Sequence, residues 1–258
     1  MSTAAVEQGS GVERVVEHVG YVSVLAGRAT RTLFRSRFEG KEFLYQMEQL
    51  GVRSLSIACA TAVFVGIVMT IQFGFFAQKF GAADALGRFI TLSMARELAP
   101  SLTSLVVGCR ISAGMAAELG SMAVTEQIDA IRALGADPIR KLVVPRVLAG
   151  VCVMPLMGAI AFVLGSLSAL VVAYLMYDLA PDFFISTALD SLQLKDLASG
   201  IAKTPFFGFL IALIGCHFGM RTTGGTEGVG QSTTRAVVAS CVTVLVADAF
   251  LTQVFLSL

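Results

Sequence analysis

Charged residues are scarce in this chain, and tryptophan is absent. Only 14% of the 258 residues are charged, against about 25% in a typical soluble domain. Hydrophobic residues make up 55% of the chain, and the mean hydropathy is +0.78. The net charge of +1 provides no basic excess for a nucleic-acid partner. These values exclude an ordinary soluble domain and favour an integral membrane protein.

Patterns typical of metal sites, disulfides and secretion are also missing. His18 and His217 are far apart in the sequence and have no ligand spacing, so we predict surface or packing roles and no metal site. The cysteines stand singly within apolar runs, without a CxxC pair, which predicts packing as small hydrophobic residues. They are Cys59, Cys109, Cys152, Cys216 and Cys241. The first residues lack a basic stretch that leads into an apolar one, so we expect no cleaved signal peptide.

Long apolar runs predict an all-α, polytopic membrane protein. A spanning helix needs about 20 apolar residues. Five membrane elements meet this length, at about 54–78, 86–117, 147–177, 201–220 and 236–257. In the second element Arg96 and Glu97 stand just before Pro100, so we predict a broken or re-entrant helical pair there. We expect residues 1–11 to be flexible and residues 12–258 to form a single transmembrane domain.

Residues 12–50 alternate apolar and basic side chains. This segment is too charged to cross a bilayer, and its amphipathic pattern predicts a helix in the membrane interface with its arginines toward anionic headgroups. A soluble cytoplasmic helix is the alternative. Lys and Arg also concentrate between the second and third elements and in 221–235. The positive-inside rule therefore predicts a cytoplasmic N-terminus and a C-terminus on the opposite side.

A polar amphipathic helix is predicted at 118–134, between the second and third membrane elements. Its apolar residues recur at helical spacing, and Gly135 and Pro138 end it. The apolar face comprises Val124, Ile128, Ile131 and Leu134. Periodicity alone leaves two interpretations open. The segment is either a coupling helix that receives force from a soluble partner or an ordinary interfacial loop helix.

The stretch from residue 97 to residue 149 resembles the signature of a known family. It contains ELAP at 97–100, AELG at 117–120, EQIDA at 126–130 and DPI at 137–139. This run is similar to the MlaE/YrbE permease family, the transmembrane subunits of ABC transporters that work with MCE-domain proteins on lipids. The resemblance implies a permease domain in the bacterial inner membrane, with a periplasmic C-terminus.

The resemblance also implies the partners. Two copies would pair as a homodimer around a lipid pathway, ATPase subunits would dock from the cytoplasm, and an MCE-domain protein would lie on the periplasmic side. The 118–134 helix would then be the coupling helix, since 129–135 approximates an EAA-xxx-G docking pattern. Its expected ATPase contacts are Glu118, Glu126, Asp129 and Arg132. No cofactor is expected on this chain, because ATP and Mg would be bound by the partner ATPase.

Ionisable residues within or beside the apolar runs form a second candidate site. Such groups are costly in a membrane unless they are paired, so we predict a network near the outer side. Its members are Arg96, Glu97, Lys203 and Asp248. The network is either a polar gate beside a lipid pathway or a purely structural set of ion pairs. Arg110 and Glu118 are expected to form a further pair. The small residues Gly108, Gly114 and Gly120 indicate close helix packing, at a dimer seam or within the chain.

Phenylalanines near the outer side suggest an apolar pocket for acyl chains. The candidates are Phe73, Phe76, Phe206 and Phe209. The run GTEGVGQS at 225–232 lacks the lysine of a phosphate-binding loop, because Gln231 stands in its place, so we predict a turn and no ATPase site. The competing functions are a non-transporting membrane scaffold and a lipid-modifying enzyme. The enzyme is disfavoured because the ionisable set lacks a nucleophile.

Overall fold

The computed structural model describes residues 11–35, 40–82 and 85–257, and every regular element in these ranges is helical. Residues 1–10, most of the segment expected to be flexible, lie outside this description. Ten α-helices follow in chain order. They are α1 (Gly11–Arg35), α2 (Gly40–Leu50), α3 (Leu55–Phe80), α4 (Leu86–Ser93), α5 (Thr103–Val124), α6 (Gln127–Ala133), α7 (Val144–Tyr177), α8 (Pro181–Ser191), α9 (Leu194–Met220) and α10 (Gly225–Ser257).

Five helical stretches are long and apolar enough to cross a membrane. They are Gly40–Phe80, Leu86–Val124, Ile139–Tyr177, Leu194–Met220 and Gly225–Phe255. At about 1.5 Å per residue, each exceeds the roughly 30 Å of a hydrocarbon layer. The prediction of an all-α polytopic membrane protein with five membrane elements is confirmed.

The segment 12–50 is not one helix. It contains α1 and α2, and α2 continues through a 3₁₀ turn, Val52–Ser54, directly into α3. Gln46 and Leu50 of α2 are buried, because α2 packs against α7. Packing against the bundle thus makes α2 part of the first candidate span, and only α1 remains as a separate amphipathic helix.

The second membrane element is helical throughout, so the expected break in the helix is wrong. A π-helical segment, Met94–Leu102, joins α4 to α5 without a break. It contains Pro100, which has no N–H and whose ring would clash in a regular α-helix. The wider π turns accommodate this proline, and such segments are frequent at functional sites. A second π segment, Ile139–Val143, precedes α7.

Two other loops are more helical than expected. The acidic stretch 178–196 contains α8, and the glycine-rich run 225–232 forms the first turns of α10 where a turn was predicted. The chain crosses back and forth, so α6 lies at one end of the bundle and α8 at the other. We call these the α6 end and the α8 end. Helix α9 packs against α5, α7 and α10 and is the centre of the bundle.

Glycines allow the closest helix crossings. A Cβ on Gly208 of α9 would overlap the backbone oxygen of Gly150 in α7, and one on Gly66 of α3 would overlap that of Gly165. Gly108 and Gly120 of α5 face Ile211 and Thr222 of the same chain, so part of the small-residue face is used inside the subunit. Close approach through small residues is typical of membrane helix packing.

Candidate functional site: a buried lysine cluster and an exposed loop helix

Lys203 of α9 is the centre of a polar cluster near the α8 end. Its side chain is only 2% exposed. The ammonium group donates to Glu97 Oε1 and Thr252 Oγ1, both at 2.7 Å, and lies 3.4 Å from Asp248 Oδ1. The Thr252 hydroxyl in turn donates to Glu97 Oε1 at 3.1 Å. The structure thus brings the side chains of three of the four predicted network residues together, and it adds Thr252, which the sequence analysis missed.

The backbone oxygen of Arg96 accepts from Lys203 Nζ at 3.3 Å, whereas the Arg96 side chain pairs outside the predicted set, so the network extends to a further carboxylate. The Arg96 Nε and Nη2 atoms donate to Asp196 Oδ1 at 2.9 and 2.6 Å. Asp196 had been placed in an acidic loop, but it is buried at the start of α9 and its Oδ2 accepts from Gln193 N at 3.1 Å. The sequence signal was available, since this carboxylate stands at the third position of a helix and forms a capping box with Gln193.

Local backbone features bring these side chains together. The π segment places Arg96 and Glu97 opposite the start of α9. At Gly200 the two backbones are so close that a Cβ would overlap the Ala95 carbonyl oxygen. Lys203 follows Gly200 by about one turn, so the lysine is directed at Glu97. The resulting polar cavity of about 320 Å³ is lined by members of both clusters, without Asp248, and also by Lys195, Ser199 and Phe255.

The lining of the polar cavity is charged or polar except for Phe255, and α10 also exposes apolar side chains such as Phe250 to the surroundings. A buried ammonium is tolerated only when it is paired and hydrogen-bonded, and Lys203 meets this condition through two carboxylates and a hydroxyl. Arg96 is balanced by Asp196, and Lys195 adds a further positive charge to the lining. Such a cavity can bind a polar or anionic group while apolar chains extend along the helices. It is chemically suited to binding and releasing an amphiphile.

The loop helix at the other end is shorter than predicted. Helix α5 continues to Val124, the chain turns at Glu126 with φ of 60°, and α6 covers only Gln127–Ala133. Asp129 accepts from Arg132 Nη1 at 2.7 Å. Only Ile128 is fully buried on the predicted apolar face, whereas Leu134 is 86% exposed. Glu126 and Asp129 are also exposed, so α6 and its flanks present both charged and apolar side chains to the surroundings.

Glu118 is not on the loop helix, and it does not pair with Arg110. It belongs to α5 and accepts from Arg146 Nη2 of α7 at 2.7 Å, while Arg146 is almost completely buried. Arg110 donates instead to Ser54 Oγ at 2.7 Å. Arg146 stands eight residues after Pro138, in a run that looked like ordinary loop charge. Its burial was therefore not evident from the sequence.

The predicted phenylalanine pocket is only half present. Phe73 and Phe76 line a small apolar pocket of about 180 Å³ with Phe80 and Phe89. Phe206 is exposed on the outside of α9, and Phe209 packs against the main core. Phe206 and Phe209 therefore do not line the pocket that contains Phe73 and Phe76.

Two contacts were not predicted. His18 of α1 and His217 of α9 are 3.0 Å apart, Nδ1 to Nε2. Burial lowers the pKa of His18, and the nearby Arg221 lowers it further, so the ring is neutral at pH 7. The Sγ atoms of Cys109 and Cys241 are 2.8 Å apart, between α5 and α10. Neither contact has a sequence signal, because both join residues more than 100 positions apart.

The fold and the clusters define an all-α, multi-pass membrane protein with a charged cavity near one end and an exposed loop helix at the other. The chain belongs to the family described as Permease MlaE, whose family model matches residues 43–254. It is a transport subunit of the ABC permease type, and the ATPase of such a transporter is a separate subunit.

Several curated proteins are similar along most of the chain. A probable ABC transporter permease protein of Synechocystis is 40% identical, over 88% of this chain and 86% of that protein. One from Rickettsia bellii is 32% identical, over 94% and 93%. Trigalactosyldiacylglycerol 1, a chloroplastic protein of Arabidopsis thaliana, is 37% identical, over 91% and 67%.

Proposed function

We propose that this permease moves lipids, driven by its separate ATPase subunit. The observation that carries the proposal is the polar cavity around Lys203, which places buried charge beside apolar helix surfaces. This combination suits a molecule with a polar headgroup and acyl chains. The name of the Arabidopsis relative, which is that of a galactolipid, supports a lipid substrate. The clusters of Glu97, Lys203 and Asp248 and of Arg96 and Asp196 then act as a polar gate.

Coupling to the ATPase is assigned to α6 and its flanks. Glu126, Asp129 and Leu134 are exposed there, and Arg132 is held by Asp129. Together these four side chains form the docking surface. Glu118 acts indirectly, since its ion pair with Arg146 joins α5 to α7, the two helices that flank α6. A displacement of α6 by the ATPase would therefore move both α5 and α7. ATP and Mg bind to the ATPase subunit.

The orientation and the remaining partners complete the proposal. The positive-inside pattern supports placing the α6 end in the cytoplasm of a bacterial inner membrane and the α8 end in the periplasm, where an MCE-domain protein would exchange the lipid. Gly114 of α5 is exposed, with open space beyond it. This small position supports a seam with a second copy. The apolar pocket of Phe73 and Phe76 is a candidate contact for acyl chains.

A pull-down from detergent tests the coupling assignment. We expect the wild-type chain to retain its ATPase and an MCE-domain protein, and the double variant Glu126→Lys/Asp129→Lys to lose the ATPase while keeping its fold. Glu227→Lys is the matched control, because Glu227 is an exposed carboxylate at the same end of the bundle. Retention of the ATPase by the double variant would refute the docking surface. A wild-type chain without any ATPase would favour a scaffold.

A further inference from the structure

A second charged cavity, of about 460 Å³, lies at the α6 end. We call it the α1 cavity. Its walls come from three separate parts of the chain: α1, the loop segment 132–139 and the end of α9. Each part contributes one arginine, namely Arg28, Arg132 and Arg221. Val24, Leu25 and Met220 form an apolar wall beside these arginines. The cavity is separate from the polar cavity, which is lined by residues of the α8 end.

The positive charge of the α1 cavity is only partly balanced. Arg132 is paired with Asp129 at 2.7 Å. Arg221 is 3.9 Å from Glu17 and lies over the ring of Tyr21, 4.0 Å from its centroid. Among the described residues no carboxylate pairs with Arg28. The one carboxylate in the lining, Asp137, keeps its charge while its Oδ1 accepts from Ile139 N at 3.0 Å, so the lining itself contains three arginines and one carboxylate.

We propose that the α1 cavity binds a phosphate group, supplied by the headgroup of an anionic phospholipid in the adjacent leaflet. Guanidinium groups match phosphate geometry, and an arginine without a carboxylate partner is available for it. The apolar wall fits the upper part of an acyl chain. Val16 and Val19 of α1 are also exposed, as in a helix that lies in a membrane interface. Placing this leaflet on the cytoplasmic side rests on the proposed orientation.

The bound lipid would link α1 to the loop that contains the coupling helix. One wall of the cavity is α1, and another is the segment from Arg132 to Ile139, which contains the end of α6 and the loop after it. A phosphate that bridges Arg28 and Arg221 would hold α1 against the end of α9 and next to this segment. The site would therefore make the coupling element sensitive to the anionic lipid content of the membrane, without being part of the transport pathway.

Native mass spectrometry of the full-length chain in detergent tests the site. The protein is mixed with phosphatidylglycerol or with phosphatidylcholine of the same acyl chains, and the bound lipid is counted. We expect preferential retention of phosphatidylglycerol, and Arg28→Ala should reduce it about five- to tenfold. Arg31→Ala is the matched control, because Arg31 is an exposed arginine of the same helix that does not line the cavity.

A parallel arm identifies the source of the phosphate. Inorganic phosphate is added at millimolar concentration, and the thermal unfolding midpoint is recorded. If the protein prefers phosphatidylglycerol and inorganic phosphate does not raise the unfolding midpoint, the lipid headgroup is the source of the phosphate. If inorganic phosphate raises the unfolding midpoint, Arg28→Ala removes this rise and no preference for phosphatidylglycerol is seen, the source is free phosphate. The proposal would be overturned if Arg28→Ala and Arg31→Ala retained the same amount of phosphatidylglycerol and showed the same change of unfolding midpoint with phosphate. Recovery of the ATPase with Arg28→Ala is measured in the same preparations, so failure of the lipid site is distinguishable from failure of the coupling assignment.

Discussion

At the residue scale, Lys203 is the most consequential side chain. An unpaired ammonium in a bundle interior would cost several kcal/mol. Glu97 and Thr252 offset this cost at hydrogen-bond distance, and Asp248 adds a more distant carboxylate. The sequence already indicated that Glu97, Lys203 and Asp248 lie at a similar depth in the membrane. The role of Thr252 was not, because a single threonine in an apolar helix gives no pattern.

Lys203→Met should destabilise the protein by about 2 kcal/mol. The change leaves Glu97 and Asp248 as neighbouring carboxylates without their cation, and both keep some solvent contact, with exposures of 39% and 19%. The thermal unfolding midpoint in detergent measures the effect. Lys195→Met is the control, since Lys195 lines the same cavity but is exposed. Equal midpoints for the two variants would contradict the role of Lys203 as the centre of the cluster.

At the element scale, the membrane helices were predictable and their junctions were not. Hydropathy depends on composition, so the five spans follow from apolar runs alone. The π segment at 94–102 depends on how Pro100 fits into a packed helix, and α2 depends on contact with α7. Arg96 pairs with Asp196, which lies 100 positions further along the chain. A local sequence pattern cannot predict such a contact.

The crossing of α9 with the π segment should be intolerant of added volume. We expect Gly200→Ala to destabilise the protein by about 1–3 kcal/mol, because the new Cβ would overlap the Ala95 carbonyl oxygen. Gly230→Ala in α10 should be neutral or stabilising by up to about 1 kcal/mol, since nothing lies within 4 Å of its Cβ position. Thermal unfolding of the two variants provides the comparison. A Gly200→Ala protein as stable as the wild type would refute the close crossing.

Helix α1 should loosen from the bundle in acid. Burial and Arg221 lower the pKa of His18 below its usual 6.5, Arg235 also lowers it, and Glu17 opposes them. The undocked helix therefore takes up a proton more readily than the docked one. Docking is thus fully stable above pH 6.5 and weakens as the pH falls below this value. His217 contacts the same ring from α9.

Hydrogen exchange of the α1 amides, corrected for the intrinsic pH dependence, measures this effect between pH 5 and 8. Protection of α1 should fall in acid, whereas protection of α7 should not change. His18→Gln keeps a polar side chain at the position but removes its titration, so it should flatten the response of α1. The same acid response in His18→Gln would assign the effect to another group.

At the scale of the whole molecule, the motifs at 97–139 were sufficient to identify the family. The arrangement of side chains at the α6 end and the α8 end became evident only from the structure. The loop helix is shorter than the pattern indicated, because Glu126 adopts a left-handed conformation that ends α5 locally. The α1 cavity is assembled from three distant segments. Such a site has no contiguous signature.

The proposed second copy can be tested at Gly114. Gly114→Leu fills open space on the outer face of α5, so a single subunit should fold normally while the share of dimers falls several-fold. Mass photometry of the detergent-purified chain measures this share. Gly230→Leu, also facing open space, should leave the dimer intact. A dimer share unchanged by Gly114→Leu would place the seam on another face.

The central claim is that ATP hydrolysis by a partner docked at α6 moves lipid through the subunit past Lys203. The most direct test is transfer of a fluorescent phospholipid between proteoliposomes that contain the complete complex and its soluble partner. We expect transfer to require ATP and to fall about tenfold or more in Lys203→Met, equivalent to at least about 1.4 kcal/mol, while the ATPase still co-purifies. Transfer that proceeds equally without ATP, or at the wild-type rate in Lys203→Met, would contradict the account.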